Sequence, residues 1–277
     1  MLNTIFQEDC IEGMRRRLPD GCVDVIVTSP PYNIGVRYGV HRDDMPLEDY
    51  LDWMEELGRE CARVLKEHGS MFFNIGDRPS DELRSLRVAE RIARHLRLQN
   101  TIHWVKSIAV PEEGINIGHY KPVNSPRYLN SAHEYVFHFT RSGAVALDKL
   151  AIGVPYQDKS NIGRWKHARQ DCRDRGNIWF VPYDTVMSAK EHPAAFPPRL
   201  AEMCIRLHGL ERGLGPRARP EGRLVVLDPF MGSGSTALAA RALGCDFVGF
   251  EVDPRYVAIA RGKLAAQRVG QERRLEG

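Results

Sequence analysis

Apolar residues along this chain gather in short runs separated by longer stretches of mixed polarity. The runs Val23–Val27, Met71–Ile75, Ile102–Val105, Tyr135–Thr140, Leu224–Leu227 and Phe247–Phe250, with a weaker one at Thr4–Phe6, predict seven β-strands. Near-continuous apolar character marks strands covered on both faces. Between them, Leu47–Leu65 places Leu47, Leu51, Met54, Leu57, Cys61 and Val64 at steps of three and four, one face of a helix. Leu83–Leu96 has a similar pattern. Thr236–Leu243 is rich in alanine and stops at Gly244, a helix C-terminal signal. Tyr256–Leu264 predicts the last helix, and the charged tail after Gln267 is expected to fray. Strands alternating with helices imply βαβ units and an α/β fold.

Two stretches break the alternation. Ser107–Ala132 holds three prolines, three asparagines and two glycines, and is expected to be a long functional loop. Residues 142–189 are polar, rich in arginine and lysine, and punctuated by aromatics. The chain therefore divides into a core, residues 1–141 and 190–277, and an insert, residues 142–189. Glu211–Glu221 is a Gly/Pro/Arg loop before a strand, and no internal repeat is visible.

Composition sets bounds. The 277 residues are 43% hydrophobic and 27% charged, with a formal net charge of +3, ordinary values for a soluble globular protein. A core of this size needs no disulfide or metal. The six cysteines form no CxxC pair, which suggests reduced thiols. His133 and His138 in HEYVFH are five residues apart on a strand, not four apart on a helix, so no metal site is expected. The opening MLNTIFQEDCIEGMRRR has no long apolar run, and nothing approaches a membrane span of about 20 apolar residues. A cytoplasmic location and no membrane partner are expected.

Two motifs carry chemistry. Asp228-Pro229-Phe230-Met231-Gly232-Ser233-Gly234-Ser235-Thr236 follows the run RLVVL and leads into a helix. A strand, a glycine turn and a helix let backbone approach a ligand closely, although such a turn also occurs without one. Glu251 closes the next strand, near the roughly 20-residue spacing at which an acidic residue grips ribose hydroxyls. Together these suggest a nucleoside cofactor. Ala237 stands where a GxGxxG pattern has its last glycine, and no Walker lysine is present. The second motif, Thr28-Ser29-Pro30-Pro31-Tyr32-Asn33, ends the run VDVIV. Pro-Pro turns are common in loops, but here two prolines fix the backbone and remove two amide donors. The carbonyls of Ser29 and Pro30 are left as acceptors beside the flat face of Tyr32, which suits a planar ligand bearing an amino group.

TSPPYN and DPFMGSGST resemble the motifs of bacterial amino-group DNA methyltransferases. Their order, with the SPPY motif first and the glycine loop last, resembles the β-class. His192-Pro193-Ala194-Ala195-Phe196-Pro197, His133-Glu134-Tyr135 and Arg175-Gly176-Asn177-Ile178-Trp179 add to the likeness. GSGST stands where the family usually has GSGTT and keeps a hydroxyl. The resemblance implies a seven-stranded, mostly parallel Rossmann-like sheet with one antiparallel strand. It also implies S-adenosylmethionine as cofactor, held by Asp9, Cys10, Thr28, Pro193, Phe196, Asp228, Pro229, Phe230, Gly232, Gly234, Ser235, Thr236, Glu251 and Asp253. Ser29, Pro30, Pro31 and Tyr32 would be catalytic.

Serine before Pro-Pro-Tyr resembles cytosine-N4 enzymes, whereas adenine-N6 enzymes mostly have Asp or Asn there. The alternative is the same reaction on adenine N6. No cysteine follows a proline, which argues against cytosine-C5 chemistry. The target base would have to be flipped out of duplex DNA. The expected DNA contacts are Asn33 and, in the insert, Lys159, Arg164, Lys166, Arg169, Arg173 and Arg175, interleaved with Tyr156 and Trp165. A cognate restriction endonuclease and a homodimer are further partners the resemblance allows. An inactive DNA-binding protein would be expected to have eroded these motifs, an oxidoreductase leaves TSPPYN without a purpose, and RNA stays open as a substrate.

Overall fold

The computed structural model describes residues 1–36, 43–120, 122–164, 171–182, 196–210 and 222–275. Its elements in chain order are β1 (Thr4–Phe6), α1 (Cys10–Arg17), β2 (Val23–Thr28), α2 (Leu47–Val64), β3 (Leu65–Ile75), α3 (Arg84–Ile92), β4 (Arg97–Val105), β5 (Ser107–Val110), β6 (Ile115–Gly118), β7 (His133–Thr140), β8 (Ile178–Phe180), α4 (Pro198–His208), β9 (Val225–Asp228), α5 (Ser235–Ala242), β10 (Asp246–Phe250) and α6 (Pro254–Leu275). The main sheet runs β1-β10-β9-β2-β3-β7-β4-β8. Only β7 runs against its neighbours, pairing antiparallel with β3 and β4. All seven strands expected from the apolar runs are in this sheet.

The eighth strand comes from the insert. β8 adds parallel to the outer edge of β4, with His103 opposite Ile178 and Trp104 opposite Trp179. Val145, Ile152, Trp179 and Val181 are buried in the core, so the described parts of residues 142–189 pack onto the sheet. The apolar cores lie on the two faces. One holds residues of α4, α5 and α6, the other residues of α1, α2 and α3. Every residue of β2 is buried, including the polar Asp24 and Thr28 among its apolar residues.

Two helices went unread in the sequence. α1 begins at Asp9, whose carboxylate accepts from the backbone N–H of Ile11 and Glu12. α4 starts with proline at its first position and ends at Gly209. Ser107–Ala132, expected as a loop, contains a β5–β6 hairpin that turns at Gly114 in the left-handed region. Among the described residues no helix is long and apolar enough to cross a membrane.

The strand order fixes where a ligand can sit. From β9 the chain proceeds outward through β10; from β2 it proceeds the other way through β3. Neighbouring strands with diverging connections make a topological switch point, with a crevice at their carboxyl ends. β2 ends in the TSPPYN loop and β9 in the DPFMGSGST loop.

Candidate functional site

The two motifs are joined directly. The Thr28 hydroxyl donates to Asp228 Oδ1 at 2.7 Å and the Thr236 hydroxyl donates to Oδ2 at 2.7 Å. Asp228 Oδ1 also accepts the backbone N–H of Phe230 at 3.0 Å. Asp228 is 1% exposed, and burial pushes its carboxyl from 3.8 up to about 6, against the lowering effect of these three donors. Buried charge is tolerated here because each oxygen is bonded.

The glycine loop offers bare backbone. Gly232 and Gly234 both have positive φ, which only glycine adopts without strain. A Cβ on Gly234 would meet Ala260 of α6 at 3.0 Å. The Glu251 carboxylate accepts from the backbone N–H of Gly232 at 2.9 Å and of Asp253 at 2.8 Å. Those bonds aim it at the turn, and each oxygen keeps a lone pair. Burial raises its pKa, the sign of a carboxylate short of donors. The Ser235 hydroxyl donates to the Phe196 carbonyl at 2.7 Å, tying the start of α4 to the loop.

Other expected cofactor residues surround this turn. Pro229 is buried, and Phe230 packs edge-on against Trp53 of α2. Asp9 caps α1 just beyond β1, while the Cys10 side chain points into the core, so Cys10 offers only its backbone. Asp253 is engaged by the Arg255 backbone and guanidinium. Pro193 lies outside the described residues.

The TSPPYN loop is braced from several sides. The Tyr50 hydroxyl donates to the Pro31 carbonyl at 2.9 Å. Asp43 accepts from the backbone N–H of Asn33, Ile34 and Val36 at 2.7, 3.0 and 2.9 Å. Arg84 donates to the carbonyl of Asn33. Asn33, expected to contact DNA, is corrected: it is 6% exposed, has φ of 58°, and its amide exchanges hydrogen bonds with the Met45 backbone. Left-handed backbone, which asparagine tolerates, explains its presence better than base contact.

Beyond the loop lies a group in which Asn74, Glu134 and Lys106 were given no role by the sequence reading. The Ser29 hydroxyl is 2.8 Å from that of Tyr32. Tyr32 lies 3.1 Å from Asn74 Oδ1 and 2.9 Å from Glu134 Oε2. Asn74 Nδ2 donates to Glu134 Oε2 and to the Tyr135 carbonyl, both at 3.0 Å. Lys106 closes the group with an ion pair to Glu134 Oε1. Asn74 is next to last in β3, Glu134 is second in antiparallel β7 and Lys106 follows β4, so all three meet at the same rim of the sheet.

Of the expected basic contacts, Lys159 pairs with Asp171 at 2.5 Å. The Arg164 guanidinium donates to Asn161 Oδ1 at 2.8 Å, and Arg173 is exposed beside its bridge to Val154. Arg175 Nε donates to the Ile152 carbonyl at 2.9 Å and ties the insert together. Lys166 and Arg169 lie outside the described residues. Among the described residues no group of three or more His, Cys, Asp or Glu could hold a metal ion.

The DNA methylase family model of the N6/N4 type matches residues 23–262. The chain is 28% identical over 283 residues to the type II methyltransferase M.BglII of Bacillus subtilis, covering 96% of this chain and 70% of that protein. It is 28% identical to M.XycI of Xanthomonas campestris pv. cyanopsidis, covering 96% and 88%. Its fold is similar to the PvuII cytosine-N4-specific DNA methyltransferase, with a TM-score of 0.67 at 20% identity over 93% and 84% of the two chains. A DNA modification methylase of Thermus thermophilus, solved in complex with S-adenosyl-L-methionine, has a TM-score of 0.61 at 25% identity over 95% and 93%.

Asp228 makes stability depend on pH in a definite direction. Between about pH 4 and 6 the folded carboxyl keeps a proton that the unfolded chain has lost. Its contribution to stability is therefore fully present below about pH 4 and is lost as pH rises through 6. Relative to Asp228→Asn, the wild type should lose on the order of 3 kcal/mol across that window. Urea unfolding at several pH values checks this; parallel pH profiles for the two proteins would refute it.

Proposed function

The chain belongs to the N6/N4 DNA methylase family, and we propose that it methylates the exocyclic N4 amino group of a flipped cytosine in duplex DNA. The observation that carries this is the Thr28–Asp228–Thr236 bridge, which sets the glycine loop and Ser29 side by side at the switch point. The methyl donor is S-adenosylmethionine, which supplies an electrophilic methyl group on a sulfonium when bound. Glu251 suits its ribose, because a buried carboxylate with a lone pair left on each oxygen accepts hydroxyl protons. Gly232 and Gly234 allow the close backbone approach of the rest.

The exocyclic amine is a poor nucleophile, since its lone pair is delocalised into the ring. The residues of TSPPYN contribute by orientation and electrostatics, not by a covalent adduct. The Ser29 hydroxyl and the Pro30 carbonyl accept the amine hydrogens, and these bonds strengthen as the nitrogen becomes tetrahedral and positive. The two prolines and the Tyr50 anchor on Pro31 hold the acceptors in place. The Tyr32 ring stacks on the base. A neutral serine at this position favours cytosine, by resemblance to cytosine-N4 enzymes.

Flipping costs a few kcal/mol, which backbone contacts of the basic insert offset. Lys149, Lys159, Arg164 and Arg173 are its described exposed cations. Type II relatives accord with a restriction-modification role for the enzyme.

Three outcomes are expected. Mass analysis of nucleosides from DNA treated with the enzyme and S-adenosylmethionine should yield N4-methylcytosine. N6-methyladenine alone would overturn the choice of base, and 5-methylcytosine the mechanism. Glu251→Ala should weaken S-adenosylmethionine binding by roughly 1.5–3 kcal/mol, the scale of a hydrogen bond to a charged group; wild-type affinity by calorimetry in the folded variant removes the ribose assignment. If Arg164 lies on a phosphate, Arg164→Gln should lower the slope of log affinity against log salt by about 1, whereas an unchanged slope moves DNA contact elsewhere.

A further inference from the structure

The geometry points to Glu134 as a positioning residue that turns Ser29 into an obligate hydrogen-bond acceptor. The inference rests on the reading of the Ser29 loop as the amine site, and it concerns how a neutral serine does what a carboxylate would otherwise do.

The direction of each bond follows from counting protons. Asn74 Nδ2 faces two acceptors, Glu134 Oε2 and the Tyr135 carbonyl, which orients the amide and turns Oδ1 toward Tyr32. Tyr32 then has two neighbours that only accept, the Glu134 carboxylate and Asn74 Oδ1. Its single proton goes to one of them, with the charged group the stronger acceptor. In either case the proton points away from Ser29. The 2.8 Å contact between the two hydroxyls is favourable only if Ser29 donates to Tyr32.

With its own proton committed, Ser29 Oγ presents lone pairs alone. It can receive an amine N–H, but it cannot donate to a ring nitrogen or a carbonyl. The site therefore selects a donor at the reacting position. The polarity is held at the far end by Lys106, whose ammonium can only donate and pairs with the other oxygen of Glu134. Asn74, Lys106 and Glu134 are all far from Ser29 in sequence. Only the antiparallel β7, which brings Glu134 to the rim beside β3, assembles them.

The test is single-turnover methyl transfer by the full-length enzyme, with dissociation constants for S-adenosylmethionine and the DNA measured in parallel. Glu134→Gln puts an amide donor next to Tyr32 and removes the fixed polarity. Tyr32→Phe keeps the ring for stacking and deletes the middle link. Each should slow transfer by about 10- to 100-fold, less than the roughly 100- to 1000-fold for deleting a preorganised transition-state hydrogen bond outright because the Ser29 hydroxyl is retained, with both dissociation constants unchanged. The double variant should be no slower than the slower single, since one chain is broken twice. A wild-type rate in either variant, or rate losses that multiply, overturns the inference, and Tyr32→Phe alone suffices if Glu134→Gln does not fold. A wild-type enzyme that leaves the DNA unmethylated overturns the functional reading itself, whereas methylating wild type with an unimpaired Glu134→Gln overturns this inference alone.

Discussion

Asp228 places a carboxylate at the centre of the sheet, where water cannot solvate it. Its charge is held by two threonine hydroxyls and one backbone N–H, and those donors come from three places that must coincide. Thr28 ends the strand that leads into the proline loop. Phe230 lies in the glycine turn, and Thr236 lies in the first turn of α5. Leaving any of these donors out would expose a buried lone pair at a cost of about 1–3 kcal/mol. The bonding requirement of one side chain thus locks two segments distant in sequence into one crevice. The rest of the site inherits that placement: Glu251 is aimed by Gly232 of the same turn, and Ser29 follows Thr28 directly.

Rigidity on the other side comes from bracing, not burial. The proline loop lacks a regular ladder, so its carbonyls and amides are met one at a time by Tyr50, Asp43 and Arg84, and the Asn33 side chain ties it to the Met45 backbone. Such a loop has little freedom left to lose when a base enters, which suits a site that works by orientation. Tyr32, Asn74, Glu134 and Lys106 add a polar network in which geometry and proton count leave few alternatives.

Much of this was legible in the sequence. Seven strands were readable because each contains a run of apolar residues, buried on both faces in β2, β3 and β10, and α2 because its apolar steps trace one stripe. β8 was not, since three residues at a sheet edge carry no period; α4 was missed although Pro198 and Gly209 frame it. The β5–β6 hairpin hid inside a segment whose prolines and asparagines suggested loop alone. Within the site, the two motifs named Ser29, Asp228 and Glu251 because local spacing encodes a strand-end turn. Glu134, Asn74 and Lys106 are brought together by pairing across β3, β7 and β4, which local spacing does not display. Asn33 was misread because a loop asparagine beside a chemical motif looks like a contact residue, whereas its left-handed backbone is what the turn requires.

The most direct test of a single crevice shared by cofactor and base is a crystal structure with a non-reactive S-adenosylmethionine analogue and a DNA duplex bearing the target site. The expected result is an extruded base whose exocyclic nitrogen lies about 3 Å from Ser29 Oγ, with the analogue's ribose hydroxyls on Glu251 and its reactive end facing that nitrogen. A base or a cofactor analogue bound away from the Thr28–Asp228 junction would contradict it.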